Sequence, residues 1–129
     1  MLTDTGLSEV CKLLGNLANG TEFTYIAYGT GTGAEDSSDT SLGNETDRGL
    51  ATIELTSTLA PQDTVKWYRY FVVDDDVTIN EVGVFNASSG GDMLGRKKLT
   101  SGVFVGKGNV VYVEFKAMMS DGGYSGGST

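Results

Sequence analysis

The sequence predicts a mainly β fold: an antiparallel β-sandwich or partly closed barrel of about six strands behind one N-terminal amphipathic helix. Two observations predict it. Beyond residue 20 the apolar spacing changes from helical to period two, and short β-branched and aromatic runs recur between turn-rich segments. Glycine is the second: the 129 residues include 19 Gly and one Pro, and the glycines cluster where tight reversals are expected. This length suits one domain, residues 1–119, that buries a core without disulfides or metal. Residues 120–129, with Tyr124 as the only large apolar side chain, read as a flexible Gly/Ser-rich tail.

Each element has its own signal. Leu7, Val10, Cys11, Leu14 and Leu17 recur at helical spacing, which predicts a helix over Leu7 to Ala18 with Thr5 as N-cap and Asn19-Gly20 as its stop. Phe23 to Tyr28 reads as the first strand. Gly29 to Ser41 holds no hydrophobic side chain beyond Ala34 and reads as a long exposed loop. Leu42 to Arg48 is expected to form a short helical turn that sets Glu45 and Arg48 on one face. Ala51, Ile53 and Leu55 alternate with polar residues as a half-buried strand, ending near Pro61. Val65 to Val73 and Val77 to Phe85 are strands separated by the Asp74-Asp75-Asp76 turn. After a reversal over Ala87 to Asp92, Met93 to Leu99 and Val110 to Met118 complete the set. Gly106 to Asn109 is expected to be a hairpin-like turn before the last strand.

Charge and residue usage exclude several functions. The net charge is −8 and no basic stripe exists, so a nucleic-acid partner is not expected; Arg96-Lys97-Lys98 reads as a solvated edge. No apolar run is long enough to span a bilayer, and no basic segment precedes an apolar one as in a signal peptide. Histidine is absent, which removes the usual general base and the commonest zinc ligand. The single Cys11 is expected to be an inert core thiol on the apolar face of the helix. Gly29-Thr30-Gly31-Thr32-Gly33 lacks the third glycine and following helix of a dinucleotide fingerprint, and Glu35 and Asp36 follow it; it reads as a flexible turn. Asp74, Asp75 and Asp76 are weak metal candidates, as are Glu35, Asp36 and Asp39, but their spacing matches no standard calcium loop and they read as solvated turns. No cofactor is expected.

Glu81 stands out. Its neighbours Ile79, Val82, Val84 and Phe85 are apolar, so its carboxylate is expected to be partly buried and to need a cationic partner, Arg48 or Arg96. It reads as a structural ion-pair acid that fixes strand register and fastens the Glu45–Arg48 segment to the sheet. Gly83 is expected to let an aromatic ring such as Trp67 lie over the backbone. Tyr68, Tyr70 and Tyr112 are candidate contacts for a subunit interface or for the face of a sugar.

Read in order, these motifs carry a resemblance. The opening Leu2-Thr3-Asp4-Thr5-Gly6-Leu7 leads to the Tyr28–Gly33 loop, then to Asp39-Thr40-Ser41-Leu42 with Glu45 and Arg48. The strand Asn80-Glu81-Val82-Gly83-Val84-Phe85 follows, and Gly90-Gly91-Asp92-Met93-Leu94-Gly95-Arg96 closes the series. The series, spanning roughly Leu2 to Met118, resembles the N-terminal domain family of tail-fibre and tail-collar proteins of tailed bacteriophages, together with related small virion proteins. The resemblance implies a non-enzymatic structural protein of the virion, made in the host cytoplasm and acting through assembly, typically as a homotrimer, with other tail or capsid proteins as partners. A tail-associated role (fibre base, baseplate adaptor or tail tip) comes first; a fibre would continue into a shaft where this chain stops, which favours a compact adaptor, tail-tip or capsid-surface protein over a fibre. Capsid-surface decoration or a head fibre is the alternative within that class; a glycan-binding β-sandwich is the alternative outside it.

Overall fold

Period-two patterning produces seven strands. The structure is a computed structural model and describes residues 1–17 and 19–119. Helix α1 (Asp4–Leu14) precedes β1 (Tyr25–Gly29), β2 (Glu45–Leu50), β3 (Thr52–Thr56), β4 (Thr64–Val72), β5 (Val77–Phe85), β6 (Met93–Val105) and β7 (Val110–Met118). One antiparallel sheet has the order β2-β1-β5-β6 and the other β3-β4-β7. This is the open sandwich of the two architectures that the sequence allows, with one strand more than expected. The expected flexible tail, 120–129, lies outside the described residues.

The main core fills the space between the sheets. Ile26 and Tyr28 of β1 and Val82 and Val84 of β5 face Trp67 and Phe71 of β4 and Val113 and Phe115 of β7. Tyr28 meets Phe71 edge-on at 4.9 Å, and Trp67 meets Phe115 at 6.1 Å. Trp67 Nε1 donates to Phe23 O at 2.8 Å, which satisfies the one polar atom that this ring buries. Inward residues of β5 run Val77, Ile79, then Val82, Val84. The alternation therefore slips by one near Asn80, where the β5–β6 register also shifts. The slip turns Glu81, Gly83 and Phe85 to the outer face of the sheet. There Ala27, Leu42, Phe85 and Met93 form a second, smaller core.

The helix begins and ends earlier than its apolar spacing suggests, and it buries a different face. Thr3, not Thr5, is the N-cap: its Oγ1 accepts from Gly6 N at 2.9 Å and donates to Met93 O. The chain leaves the helix at Gly15, and Asn16 takes the left-handed conformation at φ 51°. Leu7, Leu14 and Leu17 are consequently exposed, Leu14 by 74%. The buried face is Gly6 and Glu9, flanked by Val10 and Leu13. Gly6 lies directly on β6, where a Cβ would come within 2.6 Å of Leu94 Cα; a β-carbon there would force helix and sheet apart. Replacing Thr3 by Ala removes the cap and its bond to β6, and a loss of about 1 kcal/mol in urea denaturation is expected. Cys11, expected in the core, is exposed. It should react with a thiol reagent in the native protein as fast as in the denatured one; marked protection would contradict this placement.

Other local expectations change for identifiable reasons. Leu42 to Arg48 is not a helical turn: Leu42 is buried against Gly83, and β2 pairs with β1 as an edge strand. Ile53 and Leu55 pair with Trp67 and Val65 but remain 43% and 58% exposed, because the facing sheet does not extend over β3. Strand β6 continues to Val105, six residues beyond the expected end, on the pairing of its second half with Val77–Ile79. Gly106 to Asn109 joins no hairpin. It carries the chain from β6 in one sheet to β7 in the other, with Gly108 at φ 83° and its N–H bonded to Val73 O. Gly83 accommodates Leu42 and Met93, whose nearest atoms would lie 2.9 and 3.2 Å from a Cβ; Trp67 is elsewhere, in the main core.

Candidate functional site

The outer face of the four-stranded sheet carries the polar centre of the molecule. Glu81 is 0% and Arg96 3% exposed. They lie on one face of β5 and β6, since Arg96 stands opposite Gly83, two residues from Glu81. Glu81 Oε1 accepts from Arg96 Nε at 2.8 Å and from Gly43 N at 2.7 Å; Oε2 accepts from Gly31 N at 2.7 Å and Asn44 N at 2.8 Å. Arg96 carries the contact onward, donating from Nη1 to Ala34 O and from Nη2 to Gly33 O, with Asp39 at 3.8 Å. Burial pushes the Glu81 carboxyl up, yet the Arg96 bond and the three backbone N–H donors outweigh it and hold the group below the ordinary carboxylate range. Both oxygens are engaged, so Glu81 offers no free lone pair to a substrate.

The glycine loop now has a physical reason. A Cβ on Gly29 would meet Asn44 O and come within 2.6 Å of Glu81 Oε2; one on Gly31 would lie 2.5 Å from the same oxygen. These glycines bring backbone close to a buried carboxylate. The segment that reads as a flexible turn is a fastened strap over the sheet.

Of the four residues expected in one ionic group, the structure makes two pairs. Arg48 does not reach Glu81. It forks onto Glu45 at 2.7 and 3.0 Å, donates to Ala87 O and Gly90 O, and lies 3.6 Å over the Phe85 ring. Of the two expected cations Glu81 takes Arg96, and the backbone it bonds is Gly43 and Asn44, just upstream of the expected Glu45–Arg48 segment. The clue was present in the sequence as a carboxylate among apolar residues and three alternating glycines; only the fold shows that they meet.

Tyr68, Tyr70 and Tyr112 do come together, on the outer face of the other sheet. Their centroids lie 5.1–6.5 Å apart and their rings are mutually inclined by 57–64°. Tyr112 OH donates to Glu114 at 2.8 Å and Tyr68 OH to Glu54 at 3.3 Å, while Lys66 Nζ sits 5.1 Å over the Tyr68 ring. The Glu114 bond is the main reason that the Tyr112 phenol lies above its ordinary pKa.

Two features escape the sequence reading. Beside α1 an apolar groove of about 420 Å³ opens between Leu7, Val10 and Leu13 of the helix and Ile53, Val65 and Ala117 of the three-stranded sheet. At one end of the sandwich, Asp74, Asp75 and Asp76 line a polar cavity with Asp47. Among the described residues no three carboxylates, thiols or imidazoles converge as metal ligands, so the Asp74–Asp76 turn does not form a metal cage by itself. No described helix is long and apolar enough to cross a membrane. No protein-family model matches the chain, and no curated protein is significantly similar to it.

Proposed function

We propose that this protein is a non-enzymatic structural component of a tailed-virus particle, tail-associated and acting through homo-oligomeric assembly. The observation that carries this reading is the apolar groove beside α1, with Leu7 and Ile53 exposed at its sides. An apolar channel that the described residues leave open is characteristic of a surface completed by another chain. The outer edge of β7, nine residues in unbroken register with β4 and unpaired among the described residues, is a second surface available to a neighbour. The motif series from Leu2 to Met118 supports the particle context and a trimer. Capsid-surface decoration uses the same physics and is the alternative within the class.

Light scattering on a size-exclusion column tests the assembly. The expected mass is three times the 13.6 kDa of one chain, and Leu7→Glu with Ile53→Lys is expected to return it to the monomer with unchanged circular dichroism. A wild-type chain that stays monomeric across concentration, or a trimer indifferent to both substitutions, would remove the groove from the assembly. The Tyr68–Tyr70–Tyr112 cluster, in which Tyr70 and Tyr112 are exposed and Tyr68 half-buried, favours the glycan-binding alternative specifically. That reading requires saturable sugar binding that Tyr70→Ser abolishes.

A further inference from the structure

The cavity at the end of the sandwich holds about 410 Å³ and is bordered by Tyr28 and by four carboxylates, Asp47, Asp74, Asp75 and Asp76, with no basic side chain in its lining. Tyr28 belongs to β1 at the centre of its sheet and is 1% exposed. Its hydroxyl has no hydrogen-bond partner among the described residues, and the charges of Asp47 and Asp74 both act on it. A buried phenol without a partner is uncommon and calls for an explanation. The four acids are differently placed. Asp47 accepts from Arg48 N and Asp76 from Lys107 N, each with one oxygen, so these two retain acceptor capacity toward the cavity. Asp74 and Asp75 take part in no hydrogen bond or ion pair among the described residues.

An occupant suited to this lining is cationic, donates hydrogen bonds, and reaches acids that do not converge closely enough to share a metal ion. An ammonium is a compact point charge; a guanidinium spreads five N–H donors over a plane and can address a phenol oxygen and separated carboxylates together. Free arginine would bring its own carboxylate into a lining whose charged side chains are all acidic, whereas a side chain in a polypeptide would not. We propose that this cavity receives an arginine side chain of a partner protein, its guanidinium donating to the Tyr28 hydroxyl and to Asp47 and Asp74. This site lies at Tyr28 and the β4–β5 turn, apart from the apolar groove, and does not depend on how that groove is covered.

The probe is N-acetyl-arginine-N-methylamide, added to the full chain at low salt and followed by two-dimensional amide NMR. Saturable shifts centred on residues 28, 47 and 73–77 are expected, with the lysine analogue weaker. Asp47→Asn with Asp74→Asn should weaken binding by about tenfold or more. Tyr28→Phe should weaken it with the native amide pattern retained; Asp74→Asn alone, at an exposed turn, serves if that core substitution unfolds the chain. Shifts that do not saturate, or that survive the double substitution, would overturn the proposal. So would equal binding of the lysine analogue, and so would calcium chloride binding more tightly at the same amides, which would make this a site for an inorganic cation.

Discussion

Glu81→Gln is expected to cost about 3–5 kcal/mol of stability, the usual consequence of removing one partner from a buried ion pair. The substitution leaves the size of the side chain unchanged but strands the Arg96 guanidinium, 3% exposed, beside a neutral amide. One amide oxygen cannot accept what two carboxylate oxygens now accept from Gly31, Gly43, Asn44 and Arg96. Urea denaturation reads the loss, and amide exchange should show faster opening at Gly31, Gly43 and Asn44 in particular. The double variant Glu81→Leu with Arg96→Met should recover much of it, because neither charge is then buried. A single variant as stable as the wild type would show that the pair does not hold the strap.

The same group sets an acid limit. The folded Glu81 carboxyl lies below its ordinary value of 4.5, so its contribution is present above that pH and is lost as pH falls through the lower folded value. Asp63 adds to this lower down. Desolvation raises its carboxyl, but bonds from Leu59, Ala60 and Thr58 N–H and from the Thr64 hydroxyl bring it to about 2. Stability should therefore fall progressively below pH 4.5, and Glu81→Gln should show a flatter acid limb than the wild type. Equal slopes would mean that Glu81 titrates alike in the folded and unfolded chains.

Gly29→Ala is the second large effect, about 2–3 kcal/mol destabilising. The added methyl meets the Asn44 carbonyl on one side, with Asn44 C at 2.9 Å, and the Glu81 carboxylate on the other. Neither can retreat easily: Asn44 belongs to the backbone entering β2, and Glu81 is held by four hydrogen bonds. Gly33 provides the control, since a Cβ there meets nothing within 4 Å. Gly33→Ala should leave the denaturation midpoint nearly unchanged or slightly raised; comparable losses at both positions would show that contact with Asn44 and Glu81 is not the cause.

Much of the strand pattern was legible because a strand buried on one face declares itself by period two. Val110 to Met118 falls on β7, and Val65 to Val73 and Val77 to Phe85 fall within one residue of β4 and β5. The helix was less legible. Leu7, Leu14 and Leu17 keep helical spacing, but the contact with β6 is made by Gly6, which carries no hydrophobic signal at all. The pairing of Arg48 with Glu45 is expected from helical spacing but is made within strand β2, and its cation–π contact with Phe85 and its bonds to Ala87 and Gly90 required the β5–β6 turn to lie beside β2.

By itself the sequence determined a mainly β fold, sandwich or partly closed barrel, with one helix, and an acid that must be paired. Those properties follow from side-chain alternation and from the cost of burying a charge, which are local. Tertiary structure alone decided that Glu81 takes Arg96 rather than Arg48. It also decided that the glycine loop is strapped over the sheet, and that Tyr28 shares a cavity with the Asp74–Asp76 turn. The reason is physical: the slip at Asn80 turns Glu81 outward, and chain segments separated by dozens of residues meet only after the sheets have formed.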